Sequence, residues 1–117
     1  MRIFDSELKI LDILWRDGDT TAKRIAEILA EKTGWSKTTT YTVIKKCLAK
    51  GVVGRKEPNF DCYALITREQ AQETETSLLI DKMFDGMPDQ LMASVLGRKK
   101  LSQKEIKRLK DLISKLS

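Results

Sequence analysis

The sequence predicts a mainly α-helical protein: a winged helix-turn-helix of three helices and a β-hairpin wing, followed by a three-helix dimerisation region. Three observations point there. Apolar residues recur at helical spacing in three successive segments separated by short turns, the third ending at Gly51. Two short β-type runs then flank the turn Pro58-Asn59-Phe60-Asp61. Residues 35–56 carry six basic side chains (Lys37, Lys45, Lys46, Lys50, Arg55 and Lys56) and no acidic one, while the rest of the chain mixes both signs. A helix apolar on one face and basic and hydroxyl-rich on the other suits contact with phosphates and base edges.

The elements follow in order. Asp5 or Ser6 is expected to N-cap a first helix with the apolar face Leu8, Leu11, Ile13, Leu14 and Trp15, which Asp17-Gly18-Asp19 ends. Thr21 should cap a second helix bearing Ala22, Ile25, Ala26, Ile28 and Leu29, stopped by Gly34. Ser36 caps the third. Hairpin strands are expected at 52–57 and 62–66. Thr67 opens a fourth helix, polar at first and then apolar (Leu78, Leu79, Ile80, Met83, Phe84), which 85–88 breaks. A short helix with Leu91, Met92, Val95 and Leu96 should end at Gly97, leaving 97–100 as an exposed basic loop. Ser102 and Glu105 form a capping box for a last helix lined by Ile106, Leu109, Leu112, Ile113 and Leu116. Residues 1–66 are thus read as the DNA-binding domain and 67–117 as the dimerisation domain.

In the third helix, a spacing of about 100° per residue puts Thr40, Val43, Ile44 and Cys47 on the core side, with Leu48 at its edge. Thr38, Thr42, Lys45, Lys46 and Ala49 face outward, flanked by Thr39 and Tyr41. Threonine is a poor helix former, and a face that only meets solvent is served better by Glu, Lys or Ala. Its hydroxyl and methyl can both meet base edges, whereas lysines suit phosphates. Lys37 lies in the first turn, where free backbone N–H groups also attract an anion. Arg55 and Lys56, on the first hairpin strand, either approach the DNA backbone or guard a solvated edge. The expected DNA-binding residues are therefore Lys37, Thr38, Thr39, Thr42, Lys45, Lys46, Arg55 and Lys56. Trp15 and Trp35 are expected to pack on the core.

A region of about 50 residues in three helices rarely fills a core alone, so a homodimer is expected. Its interface should use Leu78, Leu79, Met83, Phe84, Leu91, Met92, Val95, Leu96, Ile106, Leu109 and Ile113. Residues 67–97 have two basic and six acidic side chains, and residues 98–117 eight basic and two acidic, so a two-fold mate can complement this charge pattern.

Composition excludes other classes. The 117 residues allow one domain or two small interdependent ones, and 41% apolar content is enough for a core. A net charge of +5 favours an anionic partner without naming it. The lack of any His removes Cys/His zinc patterns and catalytic triads, no phosphate-binding glycine loop occurs, and carboxylates do not converge. No enzyme activity, cofactor or metal is expected. No apolar run is long enough for membrane insertion and no signal-peptide pattern opens the chain, which points to the cytoplasm. Cys47 falls on the core stripe; the role of Cys62 stays open.

Several segments carry a family resemblance: S-E-L-K-I-L-D-I-L-W (6–15), I-A-E-I-L (25–29), W-S-K-T-T-T-Y-T (35–42), L-A-K-G-V-V (48–53), the Y-A-L strand and L-S-Q-K-E-I (101–106). Over nearly its whole length the chain resembles the penicillinase-repressor family of BlaI/MecI type, to which the copper-responsive CopY repressors are related. The resemblance implies a homodimeric repressor on a palindromic double-stranded operator, with β-lactam-resistance genes as candidate targets and a membrane sensor protease as a candidate partner. It places the family's Thr-x-x-Thr base contacts on Thr39 and Thr42. Two departures stand out. The Asn-Phe bond cleaved in β-lactam-responsive members falls near Ser94-Val95, and the one Asn-Phe here, Asn59-Phe60, is in the wing turn. The chain also lacks the C-terminal cysteine cluster of the copper-responsive members. The competing reading is a winged helix used as a protein-interaction module without sequence-specific DNA binding.

Overall fold

A computed structural model of the chain describes residues 2–98 and 100–116, Arg98 by its backbone alone. Among these residues the element order is α1 (Asp5–Asp17), β1 (Thr20–Thr21), α2 (Ala22–Thr33), α3 (Lys37–Lys50), β2 (Val53–Lys56), β3 (Asp61–Ala64), α4 (Arg68–Met83), α5 (Pro88–Arg98) and α6 (Gln103–Ser114). They pack as two compact units, Met1–Thr76 and Ser77–Ser117.

The first unit is a winged helix. Its antiparallel sheet has the order β1-β3-β2, with Thr20 opposite Cys62 and Val53 opposite Ala64. β1 was not expected from the sequence, because two residues are too few to show a period. The core gathers Ile10, Leu11 and Leu14 from α1, Ile25 and Leu29 from α2, Val43, Ile44 and Cys47 from α3, and Val52, Val53 and Cys62 from the hairpin. Each fully buried aliphatic side chain contributes about 1.5–3 kcal/mol. Trp15 and Trp35 pack half-buried against this cluster, and Trp15 Nε1 donates to the Ile66 carbonyl at 2.9 Å.

Local chemistry sets most element ends. Thr21 and Ser36 accept from Arg24 N and Thr39 N and so cap α2 and α3. Gly51 ends α3 at φ 82°, a left-handed conformation that other residues rarely adopt. Thr67 and Gln70 cap α4 reciprocally, as Ser102 and Glu105 cap α6. The sequence division at 66/67 marks the start of α4, while the packing divides within that helix, where Ala71 is still buried.

Three expectations are corrected. The N-cap of α1 is Phe4, not Asp5 or Ser6, because Glu7 reaches back to accept from Phe4 N at 2.9 Å and closes the helix end one residue earlier. The buried residues of α1 are Glu7, Ile10, Leu11, Ile13 and Leu14, which turns Leu8 out to 38% exposure. α5 does not stop at Gly97 but continues to Arg98, since glycine within a helix costs only about 1 kcal/mol. The expected 97–100 loop therefore loses Gly97 and Arg98 to the helix, and Lys99 lies outside the described residues.

The second unit has a different character. None of its described residues is buried. Leu79, Met83, Leu96 and Ile113 are 44%, 64%, 51% and 60% exposed. Leu91, Val95, Ile106 and Leu109 are half-buried.

Candidate nucleic-acid interface

α3 positions the candidate site. Burial of Thr40, Val43, Ile44 and Cys47 fixes its rotation and leaves Lys37, Thr38, Thr39, Thr42, Lys45 and Lys46 exposed. A shallow depression on this face is lined by Lys37, Thr38, Tyr41, Thr42 and Lys45. No acidic residue lines it. Among the described residues, Lys37, Lys45 and Lys46 form no ion pair, so their charge is free to meet an anion.

The hydroxyls differ in what they can still do. Thr42 Oγ1 donates to the Thr38 carbonyl at 2.9 Å, one turn back. Its proton is used, so toward a base it can accept a hydrogen bond and offer its methyl. Ser36 Oγ donates to Thr39 Oγ1 at 2.9 Å and accepts from Thr39 N at 3.1 Å. That leaves the Thr39 proton free to donate to a phosphate or base acceptor. Thr40 faces the other way; its Oγ1 is buried with no hydrogen-bond partner among the described residues.

The wing cations are exposed but engaged. Arg55 Nε pairs with Glu57, and its guanidinium lies 3.6 Å from the Phe60 ring centroid. Lys56 Nζ is 3.5 Å from Asp19 and 5.0 Å from the Tyr63 ring centroid. Beneath them Gly54 is opposite Tyr63 in the ladder, and a Cβ on Gly54 would meet Tyr63 Cζ at 2.2 Å. Only glycine lets that ring lie across the strand.

Lys50 belongs elsewhere. The sequence groups it with the basic stretch, but its ammonium binds the carboxylate of Glu7 and donates to the Arg2 carbonyl at 2.7 Å. It is thereby withdrawn from the outer face. Burial raises the Glu7 pKa, but hydrogen bonds from Lys50 and the Phe4 amide, with the Lys50 charge, outweigh it and leave the carboxyl below its usual value of 4.5. Cys62, like Cys47, is fully buried, and burial pushes the two thiols up to about 11 and about 12. Neither supplies a thiolate at neutral pH.

Sequence reasoning missed Glu7, Phe60 and Tyr63 as site-shaping residues. An acidic residue on the apolar period of α1 was the available signal for Glu7. For Phe60 and Tyr63 the signal was an aromatic beside each wing cation. Among the described residues no helix is long and apolar enough to cross a membrane, and no group of His, Cys, Asp and Glu could hold a metal ion.

A three-helix core, a hairpin wing and an exposed basic third helix define a winged-helix DNA-binding protein. The chain belongs to the penicillinase repressor family, whose description matches residues 3–115, and is accordingly a DNA-binding repressor. It is 27% identical over 115 residues to the methicillin resistance regulatory protein MecI of Mammaliicoccus sciuri, covering 97% of this chain and 94% of that protein. The same figures hold for MecI of Staphylococcus aureus strain N315. An uncharacterised 16.5 kDa protein of Latilactobacillus sakei is 25% identical over 114 residues, covering 96% of this chain and 78% of that protein. Among solved structures, a MarR family regulator from Neisseria meningitidis matches at 18% identity and a TM-score of 0.44, covering 97% of this chain and 78% of that one.

Proposed function

We propose that the protein is a cytoplasmic homodimeric repressor that binds a palindromic operator and controls β-lactam-resistance genes. The observation that carries the DNA reading is the outer face of α3, where threonines and unpaired lysines are exposed around a depression free of acidic side chains. Thr39 and Thr42 read base edges, with Thr38 beside them. Lys37, Lys45 and Lys46 neutralise phosphates, and Arg55 and Lys56 add contacts from the wing.

The dimer reading rests on the second unit. Leaving Leu79, Met83, Leu96 and Ile113 in water forfeits the main stabilising contribution available to three short helices. A second copy is the occupant that the family implies, and two-fold symmetry matches a palindrome. The reading as a protein-interaction module calls for apolar residues on the outer face of α3, where threonine and lysine stand. The resistance genes and the sensor protease rest on family membership and the relation to MecI. Ser94 and Val95 are half-buried in α5 and do not form an Asn-Phe bond, so the family cleavage site is not matched.

In vitro selection from random duplexes tests the function. The expected product is a palindrome bound by two chains per duplex. Enrichment of no sequence at all would refute the operator reading.

A further inference from the structure

Four side chains from the helix and the wing are linked by successive contacts. The Lys37 ammonium, in the first turn of α3, is 5.6 Å from the Tyr41 ring centroid. Tyr41 meets Phe60 edge to face, with centroids 5.9 Å apart and planes at 88°. Phe60 in turn carries the Arg55 guanidinium at 3.6 Å. Cations favour the negative faces of aromatic rings, and aromatic pairs favour this T-shaped geometry, so each contact supports the next.

The backbone is arranged for this stack. Phe60 stands at φ 54°, a left-handed conformation costly for a bulky side chain, directly after Asn59, a residue type better suited to it. Its carbonyl accepts from Ala22 N at 2.9 Å, which ties the wing turn to the start of α2. Strain at one aromatic residue, held by a hydrogen bond from another element, is an observation from which a functional role can be argued.

We infer that Phe60 and Tyr41 are positioning residues for DNA binding, holding Arg55 and Lys37 as one preformed phosphate clamp that joins the wing to α3. This rests on the reading of α3 as the DNA surface. An unstacked arginine must be ordered when it binds; a guanidinium already laid on Phe60 loses less freedom. Its Nε is hydrogen-bonded to Glu57, and among the described residues no hydrogen bond is recorded from its two terminal nitrogens, the fork that a phosphate would meet. Tyr41 also lines the depression with Thr38, Thr42 and Lys45, so the clamp adjoins the base-reading threonines.

The test uses the full chain and a duplex chosen by in vitro selection. Phe60→Leu and Tyr41→Leu keep an apolar side chain and remove the ring; Phe60→Tyr and Tyr41→Phe restore it. Fold is followed by circular dichroism, and affinity by fluorescence anisotropy over a salt series. Either leucine variant should bind about tenfold more weakly across the salt series with the slope unchanged, because the cation is still present and only its ordering is lost. The ring-restoring variants should return the affinity to that of the unsubstituted chain. Phe60→Leu should add nothing in an Arg55→Gln background. Should one leucine variant not fold, the other carries the test. Salt-dependent binding of undiminished affinity in a folded leucine variant overturns this proposal alone. Absence of salt-dependent binding by the unsubstituted chain overturns the DNA reading and the proposal with it.

Discussion

The carboxylate of Glu7, in the first turn of α1, is hydrogen-bonded to the ammonium of Lys50, the last residue of α3. Glu7 is 2% exposed, and the Lys50 ammonium also lies 4.6 Å from the Phe4 ring centroid. The pair fastens the end of the candidate DNA helix to the start of the chain, so the orientation of that helix depends on a buried charge pair as well as on apolar packing.

Breaking this pair should be costly. Glu7→Ala leaves a partly buried cation without its counter-charge and removes the acceptor for Phe4 N, so about 3 kcal/mol should be lost. The double variant Glu7→Leu with Lys50→Met should recover much of that loss, because apolar groups can replace a buried pair. Urea unfolding of the three proteins checks both statements.

Acid should erase the contribution. The folded pKa of Glu7 lies below its unfolded value near 4.5, so the folded state favours the charged form. The stabilisation is fully present above that unfolded value and is lost as pH falls through the folded value. The stability gap between the unsubstituted chain and Glu7→Gln should therefore be constant at neutral pH and close on acidification. A gap that stays constant to the acid limit would show that Glu7 does not fold in its charged form.

Much of the fold was legible because apolar periods and caps carry local information. Thr21, Ser36, Thr67 and Ser102 all cap where the pattern placed them. The Thr40, Val43, Ile44, Cys47 stripe is buried as its spacing required. The misses were non-local. Glu7 drew no reading as a buried residue, because its partner lies 43 positions away. The same distance in sequence hid the loss of Lys50 from the basic face. Thr20–Thr21 became a strand through pairing with Cys62 and Asp61, and no local pattern announces that. The pairing of wing cations with Glu57, Asp19 and aromatic rings was equally invisible to periodicity.

Thr40→Val should be neutral or stabilising by about 1 kcal/mol, since it removes a buried hydroxyl that lacks a partner and keeps the side-chain shape. DNA affinity should not change, because the residue faces the core. A marked loss of stability would mean that the hydroxyl has an acceptor.

Gly54→Ala should destabilise the wing by about 1–3 kcal/mol, the usual cost of overpacking, because Tyr63 must leave the strand. Thermal unfolding measures the cost. Gly54→Ala with Tyr63→Val should be less destabilised than the sum of the two changes.

Ile113→Asp should produce a monomer without unfolding Met1–Thr76. The residue is 60% exposed in the protomer, so a carboxylate there meets no steric or desolvation penalty until a second copy covers it. Sedimentation velocity should show the unsubstituted chain as a dimer and the variant as a monomer with weaker operator binding. An Ile113→Asp chain that remains dimeric would remove α6 from the interface.

Base reading and phosphate contact should separate on α3. Thr42→Ala should reduce discrimination between the selected duplex and a mismatched one by about 1–3 kcal/mol. Lys46→Ala should weaken binding to both duplexes alike. Equal loss on both duplexes for Thr42→Ala would assign that threonine to the backbone.

DNA binding should rest on phosphates engaged by the unpaired lysines of α3, with Arg55 and Lys56 adding contacts from the wing. The most direct measurement is the affinity of the full chain for its selected duplex between about 50 and about 200 mM salt. Log affinity should fall linearly with log salt, at about 0.9 per phosphate contact, amounting to orders of magnitude across that range. An affinity that does not change with salt would contradict it.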